Sequence, residues 1–179
     1  MGAREAWNFS IVRGSISIFC LMSLEPPMKN RSDSKYTWGE PIYSYSRAQA
    51  IADGVLVDLT TATDEAGQRL CQQAGFKVPV AMTRAAWAKT IEAGGTWKPS
   101  SNGEILELSN EQSLTGRLWD VLWLLRSACD RSSSTDRVHF QVLVDVHGDG
   151  HQAVVNLWAI CSPGDDANPV ITILLEEEN

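Results

Sequence analysis

Residues 43–60 read YSYSRAQAIADGVLVDLT, and the order of residue types in this stretch decides how the rest of the chain divides. Ser46 fits a helix N-cap, because its hydroxyl can accept a first-turn N–H that has no partner inside the helix. Arg47 to Asp53 supplies helix formers, with Ala48 and Ile51, or Ala48 and Ala52, meeting on one face. Gly54 stands where a left-handed residue ends a helix, and glycine takes positive φ without a Cβ clash. Val55 to Thr60 is rich in β-branched residues and predicts an extended segment directly after the stop. A short capped helix, a glycine stop and an extended piece form one compact unit.

Working outward from this unit, the same grammar recurs. Thr63 is positioned to cap a helix over 64–74, closed by Gly75. Residues 76–81 (FKVPVA) are extended, and Pro79 argues against a fully bonded central strand. Thr83 caps a third helix over 84–93, closed by Gly94 and Gly95. A small hairpin is expected around Asn102-Gly103, a favoured turn pair. Leu114 to Cys129 is the strongest helical stretch. Leu114, Leu118, Val121, Leu122 and Leu125 mark one face, and Trp119 and Trp123 an adjoining one, so the helix is expected to be buried around most of its girth. Strands follow at 138–146, 153–161 and 170–175, joined by HGDGH and SPGDDANP turns. Short connections imply an antiparallel meander. The expectation is an α+β fold, with N-terminal helices packed on a C-terminal three-stranded antiparallel meander and one long buried helix.

The 179 residues suffice for one domain with a substantial core. Residues 1–37 read as an N-terminal extension and linker, mobile or an over-extended start, and 38–179 as a single domain. The apolar run 11–24 is interrupted by Arg13 and too short for a membrane span. Four cysteines lie far apart with no CxxC pair, which suits a reducing cytoplasm and buried apolar roles. The net charge is −7. Residues 1–37 carry five basic and three acidic side chains, whereas from Asp145 onward there are seven acids and no Lys or Arg. Such a field repels a phosphate backbone and attracts a basic surface.

The blocks SRAQAIADGVLVDLT (46–60), AGFKVPVAMTRAAW (74–87), GRLWDVLWLLRSA (116–128) and CSPGDDANPVITILL (161–175) together resemble an uncharacterised bacterial protein family found on plasmids, phages and other mobile elements. The resemblance covers Ile42 to Leu175 with the blocks in order. It implies a mobile-element setting and transfers no site residues.

Candidate chemistry is sparse. Asp145, His147, Asp149 and His151 have metal-like residue types, but Gly148 and Gly150 turn the chain and break a common face, so no metal is assigned. No G-x-S-x-G elbow, P-loop or dinucleotide motif is present, and neither a catalytic residue nor a cofactor is assigned. The binding residues proposed from sequence are Tyr45, Arg47, Asp53, Asp58, Asp165 and Asp166. The reading they support is a non-enzymatic protein–protein interaction module that counters a host defence or nucleic-acid-binding complex through an acidic surface. Its partner is a protein, basic in character, with no direct nucleic-acid contact and no membrane. The alternative is a small enzyme of unknown reaction with a polar site around Arg47, Asp53 and Asp58.

Overall fold

A computed structural model describes residues 45–96, 112–132, 136–147 and 149–178, with the backbone alone at 8–12, 15–19, 97–100 and 103–108. In chain order the elements are β1 (Asn8–Val12), β2 (Ser15–Phe19), α1 (Arg47–Ala52), β3 (Leu56–Asp58), α2 (Leu70–Gln73), β4 (Val80–Thr83), α3 (Arg84–Thr90), β5 (Gly95–Ser100), β6 (Gly103–Leu108), α4 (Leu114–Arg131), β7 (Arg137–Asp145), β8 (Gln152–Pro163) and β9 (Pro169–Leu175). A 3-10 turn, Glu176–Glu178, follows β9. The class is mixed α and β, organised around a five-stranded sheet of order β3-β4-β9-β8-β7. Two further two-stranded hairpins, β1-β2 and β5-β6, are antiparallel.

The expected three-stranded sheet is therefore corrected to five strands. β7, β8 and β9 are antiparallel neighbours, but β9 also pairs in parallel with β4 through Val80↔Ile171 and Met82↔Ile173. β3 then closes that side antiparallel to β4. Pro79 does not prevent this, because it precedes the first strand residue and no ladder N–H is asked of it. Its carbonyl accepts the Ile171 N–H at 2.9 Å.

One face of the sheet carries the core. Val138, Phe140, Val142 and Val144 of β7 join Val155 and Leu157 of β8, Ile171 and Ile173 of β9, and Val80 and Met82 of β4. α4 lays Leu118, Val121, Leu122 and Leu125 on this face, all nearly or fully buried. Each such leucine contributes about 2 kcal/mol by leaving water. Ala86 and Ile91, from α3 and its C-cap, complete the layer. α4 is not buried all round: Trp123 is 54% exposed and stacks on Trp119 at 6.0 Å between ring centroids.

The capped unit around α1 forms as its residue types require. Ser46 accepts the Gln49 N–H while Gln49 returns a bond to the Ser46 N–H, a complete capping box. Gly54 has φ +73°, and the Gly54 and Val55 N–H groups close on Ile51 and Ala50 carbonyls, a Schellman ending. Thr83 caps α3 by accepting the Ala86 N–H. The helix expected over 64–74 is shortened to Leu70–Gln73. Asp64 instead accepts the Ala66 and Gln68 N–H groups, and Gly67 has φ +76°. An aspartate side chain offers the backbone a turn in place of a helix, and the left-handed glycine then excludes helical continuation.

Candidate functional site

The six residues singled out from sequence divide into a cluster and an outlier. Arg47 lies at the first turn of α1, and its guanidinium crosses to β9, donating to Thr172 Oγ1 at 2.7 Å and to the Ile171 carbonyl at 3.0 Å. Thr172 alternates with the core-facing Ile171 and Ile173 along the strand, so Arg47 ties α1 to the sheet face opposite the core. Asp165, in the β8–β9 loop, accepts the Arg47 N–H at 2.7 Å and the Ala48 N–H at 2.9 Å. It therefore caps α1 from a distant part of the chain, beside Ser46.

Burial pushes the Arg47 guanidinium below its ordinary range, and the charges of Asp58 and Asp165 oppose that shift. Asp58 accepts the Thr60 N–H and the Thr61 hydroxyl. Tyr45 donates its hydroxyl to Asp53 at 2.9 Å across the helix. Asp166 stands apart: it accepts both the backbone and side-chain N–H groups of Asn168, which hold its carboxyl below the usual range. Arg47 and Asp165 clamp α1 to β9 and the β8–β9 loop, while Tyr45 with Asp53 and Asp58 with Thr60 and Thr61 form separate local contacts.

The seven C-terminal acids are also engaged within the fold. Asp145 is buried and accepts the Asp149 and Gly150 N–H groups. Asp149 accepts the His151 N–H. Glu176 accepts from Asn156, Glu177 pairs with Lys89 at 2.6 Å, and Glu178 accepts from Thr83 and the Leu175 N–H. Among the described residues no three His, Cys, Asp or Glu side chains are grouped to hold a metal ion. Asp145 turns inward while His147, Asp149 and His151 are exposed.

A different site, absent from the sequence reading, lies between α4 and β7. β7 is an edge strand of the sheet, and a cavity of about 440 Å³ runs beside it. Arg117, Asp120, Val121 and Leu124 line it from α4, spaced i, i+3, i+4 and i+7 on one helical face. Gln141, Leu143 and Gln152 contribute from β7 and β8. Arg117 is only 8% exposed. Its Nε donates to Gln112 at 2.7 Å, and its Nη1 donates to the Ile91 and Ala93 carbonyls. Its Nη2 is buried with no acceptor among the described residues. Burial pulls the guanidinium below its ordinary range, opposed by the charge of Asp145.

The signal for this site was a charged residue inside an apolar helical stripe. Arg117 sits one turn after Leu114 and one turn before Val121, both on the core-facing side. A guanidinium there has to find acceptors or a ligand.

The architecture is thus a five-stranded mixed sheet, with its helical core layer on one face and a clamped short helix on the other. Residues 34–179 match a family described as a family of unknown function (DUF6573), and the chain belongs to that family. Neither the curated proteins nor the solved structures compared with it contain a significant match.

Proposed function

We propose that the chain is a non-enzymatic protein–protein interaction module of a mobile element, acting in the cytoplasm against a host defence or nucleic-acid-binding complex. The observation that carries this reading is an apolar pair on the sheet face away from the core. Leu143 of β7 and Val154 of β8 are cross-strand partners, and they are 63% and 57% exposed. Along the same face His139 meets Trp158 edge-on at 5.0 Å between centroids, with Arg137 over the same indole. Adjacent exposed apolar side chains on a sheet are a recurrent mark of a docking surface.

The acids supply the second element. Asp165, Asp166 and Glu176 to Glu178 are exposed, and hydrogen bonding does not remove their charge. Their field favours encounter with a basic protein and disfavours bare nucleic acid. The alternative of an enzyme built on Arg47, Asp53 and Asp58 draws no support from three side chains that are each already bound elsewhere in the fold, Arg47 to Thr172 and the Ile171 carbonyl, Asp53 to Tyr45 and Asp58 to Thr60 and Thr61. No helix among the described residues is long and apolar enough to cross a membrane.

The test is a pull-down from host lysate with the wild-type chain and with Val154→Lys. The expected result is a stoichiometric protein partner that the variant loses while its melting temperature is unchanged. The same partner on both, held equally at high salt, would contradict both the apolar contact and the acidic steering.

A further inference from the structure

The sheet ends at β7, a nine-residue strand, and the ladder beside it shows which backbone groups face outward. Just before β7 begins, the Cys161 N–H donates to the Asp136 carbonyl at 2.7 Å, and the β7–β8 register continues from that pair. Bonded and non-bonded pairs alternate along an antiparallel ladder, so Val138, Phe140, Val142 and Val144 turn their backbone groups to β8. His139, Gln141 and Leu143 turn theirs to the open side. Among the described residues no strand lies there to answer them. β7 carries neither proline nor lysine, two of the residues that commonly blunt an edge.

The cavity of about 440 Å³ follows this edge. Its wall includes all of Gln141 to Val144, although successive side chains of a strand point to opposite faces. Four consecutive residues border one cavity where the strand's backbone edge is the wall. α4 packs over β7 and roofs the cavity with Asp120, Trp123 and Leu124. The helix thus overhangs the end of the sheet, above the place where a further strand would put its core-side residues.

Sterics and charge select the occupant. A second copy pairing through the same edge would be related by a twofold axis perpendicular to the sheet, which brings its own α4 to the same face. The two β7 strands would lie about 4.8 Å apart, whereas packed helices need about 8–10 Å. Each copy also carries a net charge of −7. A lone extended segment brings no helix. Asp120 is exposed at the roof and has no hydrogen bond or ion pair among the described residues, so a cation complements it.

We infer that the β7 edge takes up an extended segment of a partner protein as a sixth strand of the sheet. The outward backbone groups of His139, Gln141 and Leu143 supply its main-chain hydrogen bonds. Its core-side residues are apolar and enter beneath Trp123 and Leu124, with a basic residue among them that meets Asp120. This deepens the protein-interaction reading and rests on it, but it uses the backbone edge, whereas that reading uses the outer side chains of Leu143 and Val154.

The probe is the peptide acetyl-KVTVTKTV-amide, which alternates valine with threonine and places one lysine on the valine face. Acetyl-EVTVTETV-amide is its charge-reversed control. Amide hydrogen exchange is followed by NMR on the full chain. In the free chain the His139, Gln141 and Leu143 amides should exchange at least about tenfold faster than those of Phe140 and Val142, and the saturating lysine peptide should slow them about tenfold or more. Gln141→Pro removes one outward N–H at an edge position that tolerates proline, and should weaken binding about tenfold or more while the chain stays folded. Asp120→Lys has no folded-state bond to lose and should shift the preference to the glutamate peptide. Should Gln141→Pro melt early, the exchange pattern and Asp120→Lys decide alone. No protection by the lysine peptide at millimolar concentration overturns the inference, as does equal binding of the two peptides by the wild type. Edge amides already protected in the free chain also overturn it: protection that fades on dilution assigns the edge to a second copy, and protection that persists assigns it to this chain's own residues. A host partner lost by Val154→Lys but kept by Gln141→Pro overturns the edge and leaves the protein-interaction reading standing.

Discussion

Two arginines leave their helices for the interior of this protein, and they end differently. Arg47 reaches from α1 to β9, and both terminal nitrogens find acceptors in Thr172 and the Ile171 carbonyl. Arg117 reaches from α4 toward the loop after α3, where Nε and Nη1 are satisfied and Nη2 is not. The first is closed on itself and fastens a helix to a sheet. The second is incomplete, and it borders a cavity. Buried polar groups are nearly always paired in native proteins, so an orphaned donor asks for a reason that a satisfied one does not. Concentrated polar residues in sequence therefore pointed to architecture, while the single misplaced charge pointed to a site.

The largest expected effect that sharpens this contrast is Arg117→Met. It removes the donors to Gln112 and to the buried Ile91 and Ala93 carbonyls, at a cost of about 3 kcal/mol. Urea unfolding measures this, and a change under about 1 kcal/mol would show that the guanidinium does little for the fold. Arg47→Met should cost less, about 1–2 kcal/mol, because its site is only half-buried and the α1 capping box remains. A larger loss than for Arg117→Met would reverse the ranking of the two sites. Asp165→Asn should follow at about 1 kcal/mol or less, since Ser46 still caps the helix. Gly54→Val belongs to the same scale, about 1 kcal/mol. No neighbour crowds a Cβ there, so backbone strain at φ +73° is the whole effect; an unchanged melting midpoint would mean that α1 tolerates another ending.

A pH dependence tests the packing of the core around the two buried thiols. Burial pushes the Cys71 thiol up to about 12 and the Cys129 thiol up to about 11, from an ordinary value of 9.0. The folded state therefore holds these protons more tightly than the unfolded chain. Their stabilisation is fully present below about pH 9 and is lost as pH rises from there through 11 and 12. Denaturation midpoints that stay flat from neutral pH to pH 11 would contradict it. At the acid end Asp64, Asp166 and Glu177 have lowered values, so their contribution is present above the ordinary carboxylate range and fades as pH falls below it. All three are exposed, and the acid effect is slight.

How far the sequence could be read depends on how local each signal is. The Ser46 cap, the Gly54 stop and the Thr83 cap are decided within a few residues, and all three stand as expected. The pairing of Val80 with Ile171 joins two distant segments and leaves no short-range mark, so two stretches read as extended were not read as strands of the same sheet. At Asp64 a local rule lost to another local rule, when the side chain bound its own backbone and the helix began at Leu70. Trp123 read as core because its neighbours are apolar, although the i+4 stack with Trp119 places it at the rim. Asp165 was read as a free surface acid, and only the folded chain brings it to the α1 N-terminus. Arg117 was overlooked because a single charge within an apolar stripe barely alters the pattern.

The contrast between the two arginines is tested most directly by urea unfolding of three chains: wild type, Arg47→Met and Arg117→Lys, the last keeping the charge while losing the fork of donors. The account predicts a larger loss of stability for Arg117→Lys than for Arg47→Met, because Nε and Nη1 of Arg117 serve Gln112 and the Ile91 and Ala93 carbonyls in the buried layer. Equal losses, or the larger loss in Arg47→Met, would contradict it.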